Sequence, residues 1–245
     1  MQVGLIGAGN MGTALARGWG DALLATDAGS GRAQALVSEL GGEVPTSNAE
    51  LAQRAGVVVL AHKPDQLQAV ASEVSPHATR VLSVLGRVTL ADLRAAYPGA
   101  RVTRVEPNTP VAQRRGMLVV PHDAEAEDAE VIALLERVGT VVRVGEGLMG
   151  VAGAISGVGP AYVALVAEAW IDAAVRRGLP AATATELVLG TLAGSAALLR
   201  TTDTLAVRRG VTSPGGTTAR GLAALERENV RRAFGAAMDA VVDFT

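Results

Sequence analysis

The sequence predicts an α/β doubly wound sheet followed by an all-helical second domain. Three observations predict it. Up to about residue 145, short β-branched runs alternate with helical patterns, the signature of a parallel sheet covered on both faces. A glycine cluster, GAGNMG, follows the first of these runs directly. Beyond about residue 145 long Ala/Leu segments take over with no convincing strand, so the expected division is 1–146 and 147–245.

In chain order, strands are expected at 3–6, 23–26, 57–61, 81–85, 102–105, 117–120 and 141–144. These are short runs of four or five residues, most of them dominated by Val, Leu or Ile, as in strands buried on both faces. Helical patterns fill 11–18, 32–40, 48–55, 90–96 and 126–137 between them. In the second domain Pro160 suits a first helical turn, and Gly178 followed by Pro180 marks a stop. A second helix is expected over 181–200 and a third over 217–242, where Leu222, Leu225, Phe234, Met238 and Val241 fall near helical spacing. Helices apolar nearly all round must be covered, so a homodimer joined through these helices is expected.

Composition excludes several classes. Lys and Arg total 22 against 24 Asp and Glu, with no long basic run, so no nucleic-acid surface is expected. There is no cysteine, which removes disulfide and thiolate chemistry. Aromatics make up only 2% of the chain, so the core must come from Ala, Val and Leu in close backbone contact. The stretch 147–167 is uncharged and long enough for a membrane span, but five glycines and Pro160 interrupt it and Glu168 follows. It reads as buried soluble backbone, with no membrane partner. The start, MQVGLIGAGNMG, lacks the basic region and long apolar core of a secretory signal, and a cytoplasmic location is expected.

Gly7, Gly9 and Gly12 form GxGxxG after a strand and at a helix start, the context that a dinucleotide site requires. The first glycine allows the tight turn, the second lets backbone approach a pyrophosphate, and the third lets helix and strand pack closely. Asp27 closes the second strand, where an acidic side chain accepts from the adenosine ribose of NAD; Ser30 and Arg32 in the same loop could instead hold a 2′-phosphate. Lys63 is the only lysine, in LAHKPDQL, just past Ala61 at the carboxyl end of a strand and before Pro64. Ligands of open parallel sheets sit outside these strand ends. Asn48 reads either as a helix cap or as a cofactor contact. In VEPNTPV two prolines fix the backbone around Asn108 and Thr109. In VTSPGGTTARGL, Ser213, Pro214, Gly215 and Gly216 open the last helix. Ser213 could be an ordinary cap, but paired glycines cost helix stability and suit a carboxylate held on free amides.

GLIGAGNMGTAL, AHKPDQL, EPNTPV, ISGVGPAYV and VTSPGGTTARGL, in this order and over nearly the whole chain, resemble the pyrroline-5-carboxylate reductase family. SPGGTT is the specific motif among them. The resemblance implies a Rossmann-type dinucleotide-binding domain and a helical domain for substrate binding and dimerisation, in dimers that often assemble into larger rings. It implies a hydride from NADPH, or from NADH, to the C=N bond of 1-pyrroline-5-carboxylate, giving L-proline in the last step of proline biosynthesis. Ser213, Gly215, Gly216, Thr217 and Thr218 would hold the substrate carboxylate, with the Thr218 hydroxyl on the ring nitrogen as the catalytic contact. Gly7, Gly9, Asn10, Met11 and Gly12 would hold the pyrophosphate, and Lys63, Pro64 and Asn108 would line the nicotinamide side. No metal is implied. Glu106, Val158 and His62 depart from the family pattern, which has an apolar residue, a serine and an aliphatic residue at those places. His77 and His122 are expected at the surface. A reductase of another cyclic imine or small acid, and a nucleotide-binding sensor without turnover, are the alternatives.

Overall fold

The computed structural model describes residues 1–122 and 128–243. The chain divides into two compact units, Met1–Pro160 and a second one starting at Ala161.

The first unit is built on a six-stranded parallel sheet. Its strands are β1 (Val3–Ile6), β2 (Leu23–Thr26), β3 (Gly42–Glu43), β4 (Val57–Leu60), β5 (Arg80–Ser83) and β6 (Arg101–Arg104), in the spatial order β3-β2-β1-β4-β5-β6. Helices α1 (Asn10–Trp19), α2 (Arg32–Leu40), α3 (Asn48–Arg54), α4 (Leu67–Val74) and α5 (Leu90–Ala96) make the crossovers. Alternation along the strands divides the core in two. Val3, Leu5, Val57 and Val59 pack with Leu15, Trp19 and Leu36 on one face, while Ile6, Val58 and Leu60 pack with Leu51, Val70 and Leu93 on the other. Continuous apolar runs are what strands covered on both faces need.

The strands expected at 117–120 and 141–144 do not join this sheet. They belong to a separate three-stranded sheet, in which β7 (Glu106–Pro107) pairs antiparallel with β8 (Gly116–Pro121), and β8 pairs parallel with β9 (Gly139–Val144). A methyl on Gly139 would run into the Gly116 backbone, so the glycine at 139 lets these strands meet. The crossover helix α6 (Ala129–Glu136) is capped by Asp128, whose Oδ1 accepts from the amides of Glu130 and Val131. The part of the expected helix at 126–127 lies outside the described residues. The Trp19 indole donates to the Leu134 carbonyl at 3.0 Å and ties α1 to α6. Helix α7 (Met149–Ser156) closes the unit against β8.

The second unit is helical. It holds α8 (Gly159–Val175, which begins in the first unit's last residues), α9 (Ala181–Leu198), α10 (Thr204–Gly210), α11 (Thr217–Arg227) and α12 (Val230–Val242). Gly178 at φ 94 ends the turn after α8, and Pro180 precedes α9 as expected. The single helix expected over 217–242 is two, because Asn229 takes the left-handed conformation at φ 59 between α11 and α12. Asparagine is among the residues that tolerate it. Ala167, Ala184 and Val188 are the buried hydrophobics among the described residues of this unit, while Val163, Leu165, Trp170, Leu187 and Phe234 are about half exposed. By length and composition alone, Glu146–Val175 and Ala181–Leu198 are apolar enough to cross a membrane.

Candidate active site

The carboxyl ends of β1, β2 and β4 frame a cleft of about 870 Å³. Its floor follows from three glycines. Gly7 has φ 103, and its amide donates to the Thr26 carbonyl at 2.9 Å. A methyl there would lie 2.5 Å from the Ala61 carbonyl, so glycine lets β1 and β4 close together. A methyl on Gly12 would strike the Gly7 carbonyl oxygen, which seats α1 on the turn from behind. Gly9 is the N-cap of α1, with no side-chain cap and no atom within 4 Å of where a side chain would start. The first amides of α1 therefore stay free beside open space, which is the arrangement that holds an anion.

Gly7, Gly9, Asn10, Met11, Asp27, Ser30, Arg32, Asn48, Ala61, Lys63 and Pro64 all line this cleft. Asp27 is turned into its own loop: Oδ1 accepts from the Gly29 amide at 2.9 Å, and Oδ2 from the Ser30 hydroxyl at 2.6 Å and the Ala33 amide at 3.0 Å. The Ser30 bond, ahead of the amides, holds its carboxyl below the usual range against the opposing effect of partial burial. Arg32, at the start of α2, is exposed, and its guanidinium has no partner among the described residues, although its backbone amide also bonds to Asp27. The expected capping role open to Asn48 falls instead to Ser47, whose hydroxyl accepts from the Glu50 amide at 3.1 Å. The Thr26 hydroxyl donates to Asn48 Oδ1 at 2.7 Å and leaves the amide nitrogen as a donor. Sequence reasoning missed Thr26; its place as the last residue of β2, facing Asn48, is a tertiary fact.

Lys63 is extended (φ −73, ψ 141), as a residue before proline should be, and Pro64–Gln66 form a single 3-10 turn. Three residues of α4, Ala69, Val70 and Glu73, also line the cleft, with Gln66 and Val84 to Gly86; no sequence signal had marked them. Asn108 is not among the lining residues. It is buried, with Nδ2 donating to the Ser156 carbonyl at 3.0 Å and Oδ1 accepting from the Met117 amide at 2.9 Å. Its side chain pins the β7 loop to β8 and α7. His77 and His122 are exposed.

Beside Asn108, Glu106 enters a charge cluster. Arg104 donates to Glu106 Oε1 and to Glu146 Oε1, both at 2.7 Å. Burial raises the Glu106 carboxyl above its ordinary value, the Arg104 charge and hydrogen bond oppose that, and Glu146 adds to it. A side chain on Gly153 would collide with Glu106 Oε2, so that glycine is what admits the carboxylate.

In the second unit α11 repeats the α1 arrangement. Gly216 is its N-cap, no side chain caps it, and Gly215 stands at φ 71 with open space around it. Ser213 is not the cap; its hydroxyl lies against Gly216. Thr217 is exposed, and Thr218 is half-buried with no hydroxyl partner among the described residues.

The family described as "Pyrroline-5-carboxylate reductase dimerisation" matches residues 146–244, and the family described as "NADP oxidoreductase coenzyme F420-dependent" matches 2–86. The pyrroline-5-carboxylate reductase of Synechocystis is 38% identical over 78% of this chain and 74% of its own length. That of Corynebacterium melassecola is 34% identical over 98% of this chain and 96% of its own. Among solved structures, the Plasmodium falciparum pyrroline carboxylate reductase with NADP bound superposes with a TM-score of 0.85 at 28% identity, over 99% of this chain and 96% of that one. With two glycine-opened helix starts and relatives of this similarity along its length, the chain belongs to the pyrroline-5-carboxylate reductase family.

Proposed function

We propose that the protein reduces the C=N bond of 1-pyrroline-5-carboxylate to L-proline with NADPH, the last step of proline biosynthesis, as a cytoplasmic homodimer. The carrying observation is the pair of uncapped helix starts, α1 for a pyrophosphate and α11 for a carboxylate. Both anions are held by backbone amides, and an uncapped start favours them through its dipole.

The residues present fit a dinucleotide. Gly9 leaves the room, Asn10 and Met11 border it, and Asn48 and Lys63 offer donors along the cleft. NADPH, when bound, supplies the hydride. The 2′-phosphate reading is favoured over the ribose reading because Asp27 spends its oxygens on Gly29, Ser30 and Ala33, while Arg32 is free to pair. NADH is the poorer donor on this reading. The amides of Gly216, Thr217 and Thr218, with Ser213 and Gly215 beside them, orient the substrate carboxylate, and the Thr218 hydroxyl accepts from the iminium N–H. That iminium is already electrophilic and the product amine keeps its proton, so no acid group is required and positioning is the main device.

Initial rates with NADPH and NADH on a pyrroline and a piperideine carboxylate test the reading. NADPH oxidation should be fastest with the five-membered ring. Preference for the larger ring would select another cyclic-imine reductase, and binding without turnover a sensor. Arg32→Ala should raise KM for NADPH about tenfold, the worth of a charge-assisted hydrogen bond, and leave KM for NADH alone. An equal rise for both would remove Arg32 from the 2′-phosphate. The half-exposed helices of the second unit support the dimer, and larger rings of dimers go with it. Light scattering should give at least a dimer throughout a dilution series in detergent-free buffer; a monomer, or a need for detergent, would count against it.

A further inference from the structure

The cleft does not end at the glycine turn and the loops after β2 and β4. It continues along one side of α4, where Ala69, Val70 and Glu73 line it. Leu67, Val70, Ala71 and Val74 turn α4 towards the sheet. At about 100° per residue, Ala69 and Glu73 lie about a third of a turn from the centre of that buried stripe, with Val70 between. Strand–helix–strand crossovers are right-handed, so in the passage from β4 through α4 to β5 this displacement points towards α3 and β2 and away from α5. In keeping with that, α3 packs beside α4 on the same face of the sheet, and Asn48 at its start and Thr26 at the end of β2 line the same cleft.

The atoms on this side of α4 are within reach of a ligand. Ala69 and Glu73 are exposed, and Val70 keeps 8% of its surface. The Glu73 carboxylate has no partner among the described residues. Two apolar side chains are thus followed, one helical turn further on, by a free acceptor. The β2 loop, with Arg32, belongs to the adenosine ribose, and the α1 start to the pyrophosphate. The group carried by that ribose is adenine, whose ring face needs an apolar surface and whose 6-amino group needs an acceptor. Val84 to Gly86, which follow β5 on the far side of β4, border the other half of the dinucleotide.

We propose that Glu73 selects the base of the cofactor: the adenine ring lies on Ala69 and Val70, and the Glu73 carboxylate accepts a hydrogen bond from the 6-amino group. This rests on the dinucleotide reading of the cleft. An ionised carboxylate only accepts. Adenine carries a donor at its sixth position, where a 6-oxo purine carries an acceptor. The oxygen of hypoxanthine would therefore face the negative charge of Glu73 with no proton between them, and a dinucleotide bearing that base should bind more weakly.

Titration by nicotinamide fluorescence, without substrate, tests this with NADPH and with its reduced hypoxanthine analogue, on wild type, Glu73→Gln, Glu73→Ala and Ala69→Trp. Wild type should bind NADPH about five- to tenfold more tightly than the analogue, the worth of one hydrogen bond. Glutamine can turn either a donor or an acceptor to the base and alanine has neither, so both should bring the two affinities within about twofold of each other. Partial loss of fold would weaken both ligands alike and leave that ratio where it was. Ala69→Trp fills the surface under the ring and should weaken both dinucleotides about tenfold or more, with the melting temperature unchanged. Equal wild-type affinity for the two ligands, a preference that survives in both Glu73 variants, or undiminished binding by Ala69→Trp would overturn the proposal and leave the dinucleotide reading standing. A wild-type protein that binds neither ligand would overturn both. A preference that depends on Glu73, without reduction of pyrroline carboxylate, would support the base contact and sink only the substrate reading.

Discussion

Replacing Arg104 by methionine should cost the first unit about 3 kcal/mol at neutral pH, and most of that should return when Glu106 is replaced as well. The Arg104 side chain is 8% exposed, Glu106 21% and Glu146 41%. Methionine keeps the apolar stem and removes the charge. Removing one partner of a buried pair costs about 3–5 kcal/mol because the other charge is stranded, whereas replacing both by apolar groups is close to neutral. Glu146 is wet enough that its share is nearer the ~0–1 kcal/mol of a surface pair, which sets the total at the low end. The sign with pH follows from Glu106. Its carboxyl is raised, mainly by burial, so the native state prefers it protonated, and the penalty for an unpaired carboxylate exists only above its folded pKa. The deficit should be largest near about pH 8 and shrink as pH falls through the raised pKa of Glu106, which lies above the ordinary glutamate value of about 4.3. Urea unfolding can be followed through Trp19, which is buried in this unit, in a Trp170→Phe background. Equal losses in the Arg104→Met single variant and the Arg104→Met/Glu106→Met double variant, or a deficit independent of pH, would refute the account of the cluster.

Two further outcomes follow from the helix starts. Gly12→Ala places a methyl against the Gly7 carbonyl oxygen and 3.1 Å from Ala61 Cβ; the first is backbone and cannot swing away, so about 1–3 kcal/mol of stability and most NADPH affinity should be lost. Thermal unfolding and NADPH titration read both, and unimpaired binding would count against the packing argument. Thr218→Val should lower turnover roughly tenfold, about 1.4 kcal/mol of barrier, while leaving KM for NADPH in place. Steady-state kinetics on pyrroline carboxylate decide it, and unchanged kcat would remove Thr218 from the reaction.

Five of the six strands of the parallel sheet were legible because their information is local, a short run rich in Val, Leu or Ile; the two-residue, exposed β3 carried no such run. Sheet membership was not. Residues 117–120 and 141–144 read as strands of the main sheet, yet the close approach of Gly116 and Gly139, and pairing with the two residues of β7, put them in another. The break at Asn229 was written in one residue with a taste for the left-handed region, inside a pattern whose apolar spacing carried on through it. The short helix α4 gave no distinct cap and so passed unmarked.

The same division runs through the site. The two uncapped helix starts could be read because each depends on a gap left by glycine, at Gly9 and at Gly215, and a missing side chain is visible in sequence. Side-chain destinations could not. Ser213 and Asn48 both fitted a cap on paper, and the caps turned out to be Gly216 and Ser47. Two prolines correctly marked a held backbone around Asn108, but they could not say that its amide would be spent on Met117 and Ser156 and not aimed at a ligand. Asp27 shows the point most directly: its position at the end of β2 predicts an acceptor for a ribose, and only the bonds from Gly29, Ser30 and Ala33 show that its oxygens are already engaged. A charged residue at a motif position is therefore a statement about capacity. What it binds depends on which partners within the fold reach it first, and here those partners leave Arg32 as the unpaired charge of the loop.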